Sequence, residues 1–217
     1  MPTRLLVIAV ALLIVLGSLV GLSFVWQNGK VGSMSGGKAL IGGPFSMVNH
    51  HGERVTEKDF AGKFMLAYFG YTFCPDFCPL GLSTITEALE LLDEDQAGQV
   101  TPVFFSVDPA RDTVEQLADY ATHFHPRLIA LTGTDEEVKA AAQAYRIYYA
   151  IPSKEDENYA VDHSTFIYLM GPDGTYRTHF NHNASPEEIA EQLRKETKKA
   201  DLTRIKPLPI DQWSAKS

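Results

Sequence analysis

The sequence predicts an α/β fold: a mainly parallel sheet with helices on both faces, preceded by one transmembrane helix. Three observations carry this. From Phe64 onward, short continuous apolar runs alternate with stretches of helical spacing, the pattern of parallel strands joined by helices. A late strand–turn–strand unit then leads into a final helix, which adds an antiparallel edge. Ahead of both, no residue between Arg4 and Lys30 is charged.

Composition agrees. The 217 residues are 45% hydrophobic and 21% charged, as in a folded globular protein. Two cysteines exclude a disulfide-built scaffold. The net charge of −8 argues against a nucleic-acid partner, whose electrostatic footprint is basic. That charge is uneven. Arg4 and Lys30 are the only charged residues in 1–30, so 31–217 holds 17 of the 19 basic and all 27 acidic residues, a formal −10.

Residues 1–4 are a short cytoplasmic N-terminus. The apolar run Leu5 to Trp26 has 22 residues. At about 1.5 Å per residue it spans roughly 33 Å, enough for a hydrocarbon core of about 30 Å. Trp26 sits at its far end, where an indole favours the headgroups. The run exceeds the roughly 7–15 apolar residues of a cleaved signal peptide, and no A-x-A site follows it, so it reads as an uncleaved anchor. Arg4 and the terminal amine place the N-terminus in the cytoplasm and the body in a periplasm, across a bacterial inner membrane. Residues 27–43, rich in Gly and Ser, form a flexible tether.

The folded domain is expected over 44–200, with a tail at 201–217. Phe45–Val48 and Glu53–Val55 flank a Gly-containing turn, an N-terminal β-hairpin. Phe64–Gly70 is a buried strand. Leu82, Ile85, Leu89 and Leu92 mark a helix, and Val103–Val107 a second strand. Asp112 with Glu115 forms a capping-box pair for a helix through Phe124. Leu128–Leu131 is a short strand, and Thr134 with Glu137 caps the next helix, to about Tyr145. Ile147–Ile151 is extended, and Ser153–Tyr159 is a polar loop. Ser164–Met170 and Thr175–Phe180 form a hairpin, and Ser185-Pro186 opens the last helix. The order gives a thioredoxin-like outline, in which sites collect in loops after buried strands.

Both cysteines lie in such a loop, Tyr71-Thr72-Phe73-Cys74-Pro75-Asp76-Phe77-Cys78-Pro79. With Pro75 or Pro79 as first helical residue, both sulfurs fall near a helix N-terminus, which favours thiolates. Residues four apart on a regular helix have Cβ atoms about 5–6 Å apart, whereas a disulfide wants about 3.8 Å. Held helically, the pair suits a metal better than a relaxed disulfide; an irregular turn still permits redox chemistry. Thiolates favour Cu(I), zinc or iron–sulfur clusters, but zinc and cluster sites normally need four ligands. Two thiolates and one imidazole make a three-donor copper site.

Seven histidines compete for the third place. His50 and His51 lie in the hairpin turn, His123 and His125 end a helix, and His179 and His182 follow the last strand. His163, in Val161-Asp162-His163-Ser164, precedes an apolar strand at the junction that faces the cysteine loop in a thioredoxin-like sheet. Thioredoxins carry a cis-proline there. This chain has none between Tyr159 and Ser164, and C-x-x-x-C replaces C-x-x-C, which disfavours a general disulfide oxidoreductase. The approach Thr72-Phe73-Cys74 has the wrong spacing for a peroxiredoxin.

Three segments together resemble the SCO/SenC family of membrane-anchored copper chaperones: Tyr68–Pro79, Phe105–Thr113 (Phe-Ser-Val-Asp-Pro-Ala-Arg-Asp-Thr) and Val161–Ser164. The resemblance runs from Pro44 to Arg194. It implies a thioredoxin-like fold and one copper ion held by Cys74, Cys78 and His163. It also implies a role in assembling the dinuclear copper centre of cytochrome c oxidase, with the copper-receiving subunit of that enzyme or another periplasmic copper protein as partner. Family members acting as thiol–disulfide reductants supply the alternative. Asp108 and Arg111 read as a strand-end turn and an ion pair, Asp112 as a helix cap. Asp162 points away from His163 if the two lie in a strand.

Overall fold

The computed structural model describes residues 41–151 and 159–204. The expected anchor 5–26, the tether up to residue 40, the loop 152–158 and the tail from 205 lie outside the described residues. Among the described residues no helix is long and apolar enough to cross a membrane.

Three parallel strands form the centre: β3 (Phe64–Gly70), β4 (Val100–Ser106) and β5 (Ile129–Thr132). All seven residues of β3 are buried, which explains its unbroken apolar run. The hairpin β1 (Ser46–Asn49) and β2 (Arg54–Thr56) adds antiparallel to β5. On the other side β8 (Ile167–Met170) and β9 (Tyr176–Phe180) add antiparallel to β3. The sheet order is β2-β1-β5-β4-β3-β8-β9. Helices cover both faces, as the alternation predicts. Helix α1 (Phe77–Glu90) packs on α5 (Pro186–Arg204), and Gly81 of α1 lies against the Tyr68 ring. On the opposite face Phe45, Phe69, Phe105 and Tyr145 form an aromatic cluster under α4 (Asp135–Ala144).

The caps at Thr134 and Ser185 form as expected: each side chain accepts from the backbone N–H three residues on. Four expectations need correction. Helix α3 (Val114–Ala121) is capped by Thr113, not Asp112, because Asp112 is wholly buried and turned inward. Helix α1 starts at Phe77 with Asp76 at the N-cap, so neither proline is its first residue. A short helix, α2 (Glu94–Gly98), capped by Asp93, fills what the sequence left as a connection. The extended stretch 147–151 does not join the main sheet. Only β6 (Tyr149–Ala150) forms, paired antiparallel with β7 (Asp162–His163) in a separate two-stranded ribbon.

The domain also begins before Pro44. Ile41 packs on the core, and the Gly42 N–H donates to the Ala144 carbonyl (2.9 Å). Gly42 has φ +91°, a conformation that favours glycine, and lies against the Met170 side chain.

Gly70, the last residue of β3, meets a different constraint. A Cβ there would lie 2.6 Å from Cys78 Sγ and 2.9 Å from the Phe104 ring. Gly70→Ala is expected to destabilise the reduced protein by about 1–3 kcal/mol through overpacking and to displace Cys78. Urea unfolding checks the first, and unchanged stability would mean that Cys78 is not seated against the strand.

Candidate metal centre

The parallel strands β3 and β4 end side by side at Gly70 and Ser106. The cysteine loop leaves the first end, and the Asp108–Asp112 loop leaves the second. Because β8 runs antiparallel to β3, the residues entering β8 return to this same edge. Topology therefore returns the chain that carries His163 to the edge where the cysteine loop lies.

Cys74, Cys78 and His163 offer ligand atoms within 4.8 Å of one another, and among the described residues no other group of three or more His, Cys, Asp or Glu does so. Cys78 Sγ is 3.4 Å from His163 Nε2. The His163 Nδ1–H donates to the Ser164 carbonyl (2.9 Å). A carbonyl only accepts, so the proton sits on Nδ1 and the Nε2 lone pair faces the sulfurs. The Tyr71 ring meets the imidazole edge-on at 5.7 Å. Asp162 is exposed and does not orient the ring, as the strand geometry predicts. The competing histidines lie elsewhere: His50 accepts from the Ala130 N–H, His125 from the Arg127 N–H, and His123 is bonded to carbonyls of its own helix.

The cysteines are both free thiols but differ in setting. Cys78 is in the first turn of α1 and fully buried, while Cys74 precedes the helix and is 9% exposed. Asp76 caps nothing with its side chain; instead the Cys78 backbone N–H donates to Cys74 Sγ (3.4 Å). The Cys74 sulfur thus takes the place of a helix-capping acceptor. The Cys78 thiol bonded to it, then the N–H groups of Cys78 and Asp76, draw the Cys74 thiol well down from its ordinary value, against the effect of burial. The same bond to Cys74, with burial and the neighbouring negative charge, drives Cys78 up. One proton is shared, and it stays on the inner sulfur. A soft, charged donor, a second thiol and a directed nitrogen suit a soft metal ion such as Cu(I).

The loop is held by Asp112, whose carboxylate accepts from the Thr72 N–H (3.1 Å), the Thr72 hydroxyl (2.6 Å) and the Ser106 hydroxyl (2.6 Å). Sequence reasoning assigned this residue to a cap. The signal against that was Thr113, an equally good cap one residue later. Arg111 pairs with an acid, as read from the sequence, and that acid is Asp108. Tyr71, Thr72 and Tyr159 carry no spacing signal and emerge only in three dimensions.

The sulfur asymmetry has a direct consequence. Iodoacetamide applied to the reduced protein at about pH 6, where an ordinary thiol of pKa ~8.5 is protonated, is expected to modify Cys74 first. Peptide mass spectrometry reads the site. Equal or faster labelling of Cys78 would overturn the assignment of the shared proton.

A family model described as SCO1/SenC matches residues 33–198. The human protein called "Protein SCO1 homolog, mitochondrial" is 47% identical over 159 residues, 72% of this chain and 53% of the relative. This chain spans about half the length of the curated relatives it matches. The crystal structure of Arabidopsis thaliana ScoI with copper bound superposes with a TM-score of 0.69 at 44% identity, covering 73% of this chain and 99% of that one. BsSco, described as carrying a disulfide switch and as a member of the Sco family of cytochrome c oxidase assembly proteins, superposes with a TM-score of 0.59. It is 26% identical and covers 73% of this chain and 94% of its own. With the fold, the three converging donors and the family match in agreement, the chain belongs to the SCO1/SenC family.

Proposed function

We propose that this protein is a membrane-anchored metallochaperone whose cargo is one copper ion, held by Cys74, Cys78 and His163 and passed to a copper-receiving subunit of cytochrome c oxidase. The observation that carries the reading is the directed imidazole. Nδ1 is occupied by the Ser164 carbonyl, so Nε2 is left to face two sulfurs, with all three donors within 4.8 Å. Copper bound to the Arabidopsis relative supports the choice of metal. Three donors leave one side open, where a recipient's cysteine exchanges in as a protein ligand leaves. In this reading residues 5–26 anchor the domain in a bacterial inner membrane, 27–43 tether it, and the domain faces the periplasm. Tethering raises its effective concentration near a membrane-bound recipient.

The second reading is a thiol–disulfide reductase acting on the recipient's cysteines, and the sulfur asymmetry favours it. The Cys74 thiolate attacks a recipient disulfide, forming a mixed disulfide and releasing one recipient thiolate. Cys78 then gives up its proton and attacks Cys74 Sγ. That step releases the second recipient thiol and leaves a Cys74–Cys78 disulfide, so two electrons pass to the recipient. The disulfide switch described for BsSco supports a redox-active pair. Copper loading and disulfide formation compete for the same electron pairs.

The reduced domain is expected to bind one Cu(I), and Cys74→Ser or Cys78→Ser is expected to abolish tight binding in competition titrations. Stoichiometric tight binding by Cys78→Ser would reject the site. The oxidised form, with the linkage verified by mass spectrometry, is expected to retain no copper in equilibrium dialysis, because both thiolates are consumed. His163→Ala is expected to keep Cu(I) and to lose the nitrogen coupling in the Cu(II) spin-resonance spectrum. Deleting residues 1–40 is expected to release the domain from the membrane fraction without changing its copper stoichiometry. A membrane-bound product would place the anchor elsewhere.

A further inference from the structure

The cysteines and the histidine are not held equally. Gly70, Asp112 and the first turn of α1 fix Cys74 and Cys78 to the central sheet. His163 lies on the ribbon β6–β7, only two residues per strand and outside that sheet. A ribbon of this size is marginal alone. Something else must set where the imidazole sits.

The Asp108–Arg111 pair is placed to do so. Asp108 is fully buried in the loop after β4, and its carboxylate takes two partners from different parts of the chain. Arg111 Nε donates to Oδ2, and the Tyr159 hydroxyl donates to Oδ1 (2.6 Å). The Arg111 guanidinium then lies on the Tyr159 ring, 3.6 Å from its centroid, with Phe73 at 4.8 Å and Tyr71 at 5.5 Å. Phe73 and Tyr71 belong to the cysteine loop, and Tyr159 opens the segment that carries His163. Tyr71 also reaches that segment directly, through the edge of the His163 ring. One cation thus grips aromatic side chains from both parts of the site. A planar guanidinium suits this role, since it stacks and donates at once.

We propose that Asp108, Arg111 and Tyr159 form a clamp that positions His163 against the cysteine pair. They are positioning residues, not ligands. The clamp deepens the copper reading and rests on it for its consequence: with the clamp broken, the cysteines still offer two donors while the third is no longer presented.

The test uses Tyr159→Leu and Arg111→Gln, with wild type and His163→Ala as references. Tyr159 is partly exposed, so its variant leaves the buried ion pair intact and keeps the test open if Arg111→Gln does not fold. The first readout needs no metal: the nuclear Overhauser contact between the Tyr71 and His163 rings in the reduced protein. It is expected in wild type and lost in the variants. The second is Cu(II) binding, expected to weaken about tenfold or more, as for other groups that orient a ligand, with nitrogen coupling falling toward that of His163→Ala. Cu(I) stoichiometry is expected to stay at one, a pattern that general destabilisation does not produce. Persistence of the ring contact in a folded Tyr159→Leu overturns the clamp, whatever the copper data. Loss of the contact, together with unchanged nitrogen coupling in His163→Ala, upholds the clamp and rejects His163 as a copper ligand.

Discussion

The site depends on one buried carboxylate. Asp112 has no exposed surface, and burial pushes its acid strength down, yet three donors converge on it from the cysteine loop and the end of β4. Removing one neutral donor from a buried carboxylate costs about 1.5–3 kcal/mol. Ser106 ends β4 and Thr72 begins the cysteine loop after β3, so this carboxylate ties together the ends of two neighbouring parallel strands. It works with the Cys78 N–H to Cys74 Sγ bond, which ties the same loop to the helix that carries Cys78.

From this tie the sulfur chemistry follows. Fixing Thr72 sets Cys74 just ahead of α1, where its sulfur receives a helix N–H that a side-chain cap would otherwise satisfy. Cys78, one turn inside, is pressed against Gly70 and shut off from water. Proximity to a helix N-terminus and burial have opposite effects on a thiol. Two identical residues four apart therefore become one outer thiolate and one inner protonated thiol. The exposed Phe73 and Phe77, each beside a cysteine in the chain, leave the apolar side of this loop facing outward. In either proposed role the outer sulfur is the reachable one, because of the two cysteines only Cys74 keeps exposed surface.

The sequence was legible wherever a single periodicity or a fixed offset decided the outcome. The unbroken apolar run at 64–70, the Thr134–Glu137 box and Ser185-Pro186 are local signals, and each formed where expected. Cys74, Cys78 and His163 were legible as a set because strand order returns the β8 entry to the end of β3. The failures share a cause. Asp112 and Thr113 are both good caps, and only tertiary demand for an acceptor at Thr72 and Ser106 decides between them. Likewise the stretch 147–151 has strand composition, but Tyr148 is exposed and only Tyr149–Ala150 pairs as a strand, with the histidine segment. Composition says that a segment is extended, not which strand it meets.

That last pairing bears on the proposed copper role, because it sets how firmly each of the three candidate donors is held. The cysteines sit on elements whose loss requires opening the core: β3 is buried throughout, and α1 contributes Leu82, Ile85 and Leu89 to the same core. The histidine sits on a ribbon with two residue pairs, plus a Ser164 N–H to Tyr148 carbonyl bond of 2.9 Å beyond it. Local opening free energy scales with the buried contacts that must be broken, so, apart from the contacts of Tyr71 and Tyr159, the imidazole segment is held by less buried structure than the sulfurs are. A site built of three equally rigid ligands would bind its metal well and surrender it slowly. In the proposed role the nitrogen would therefore be the first donor free to leave, and exchange at the sulfurs would not require the sheet to unfold.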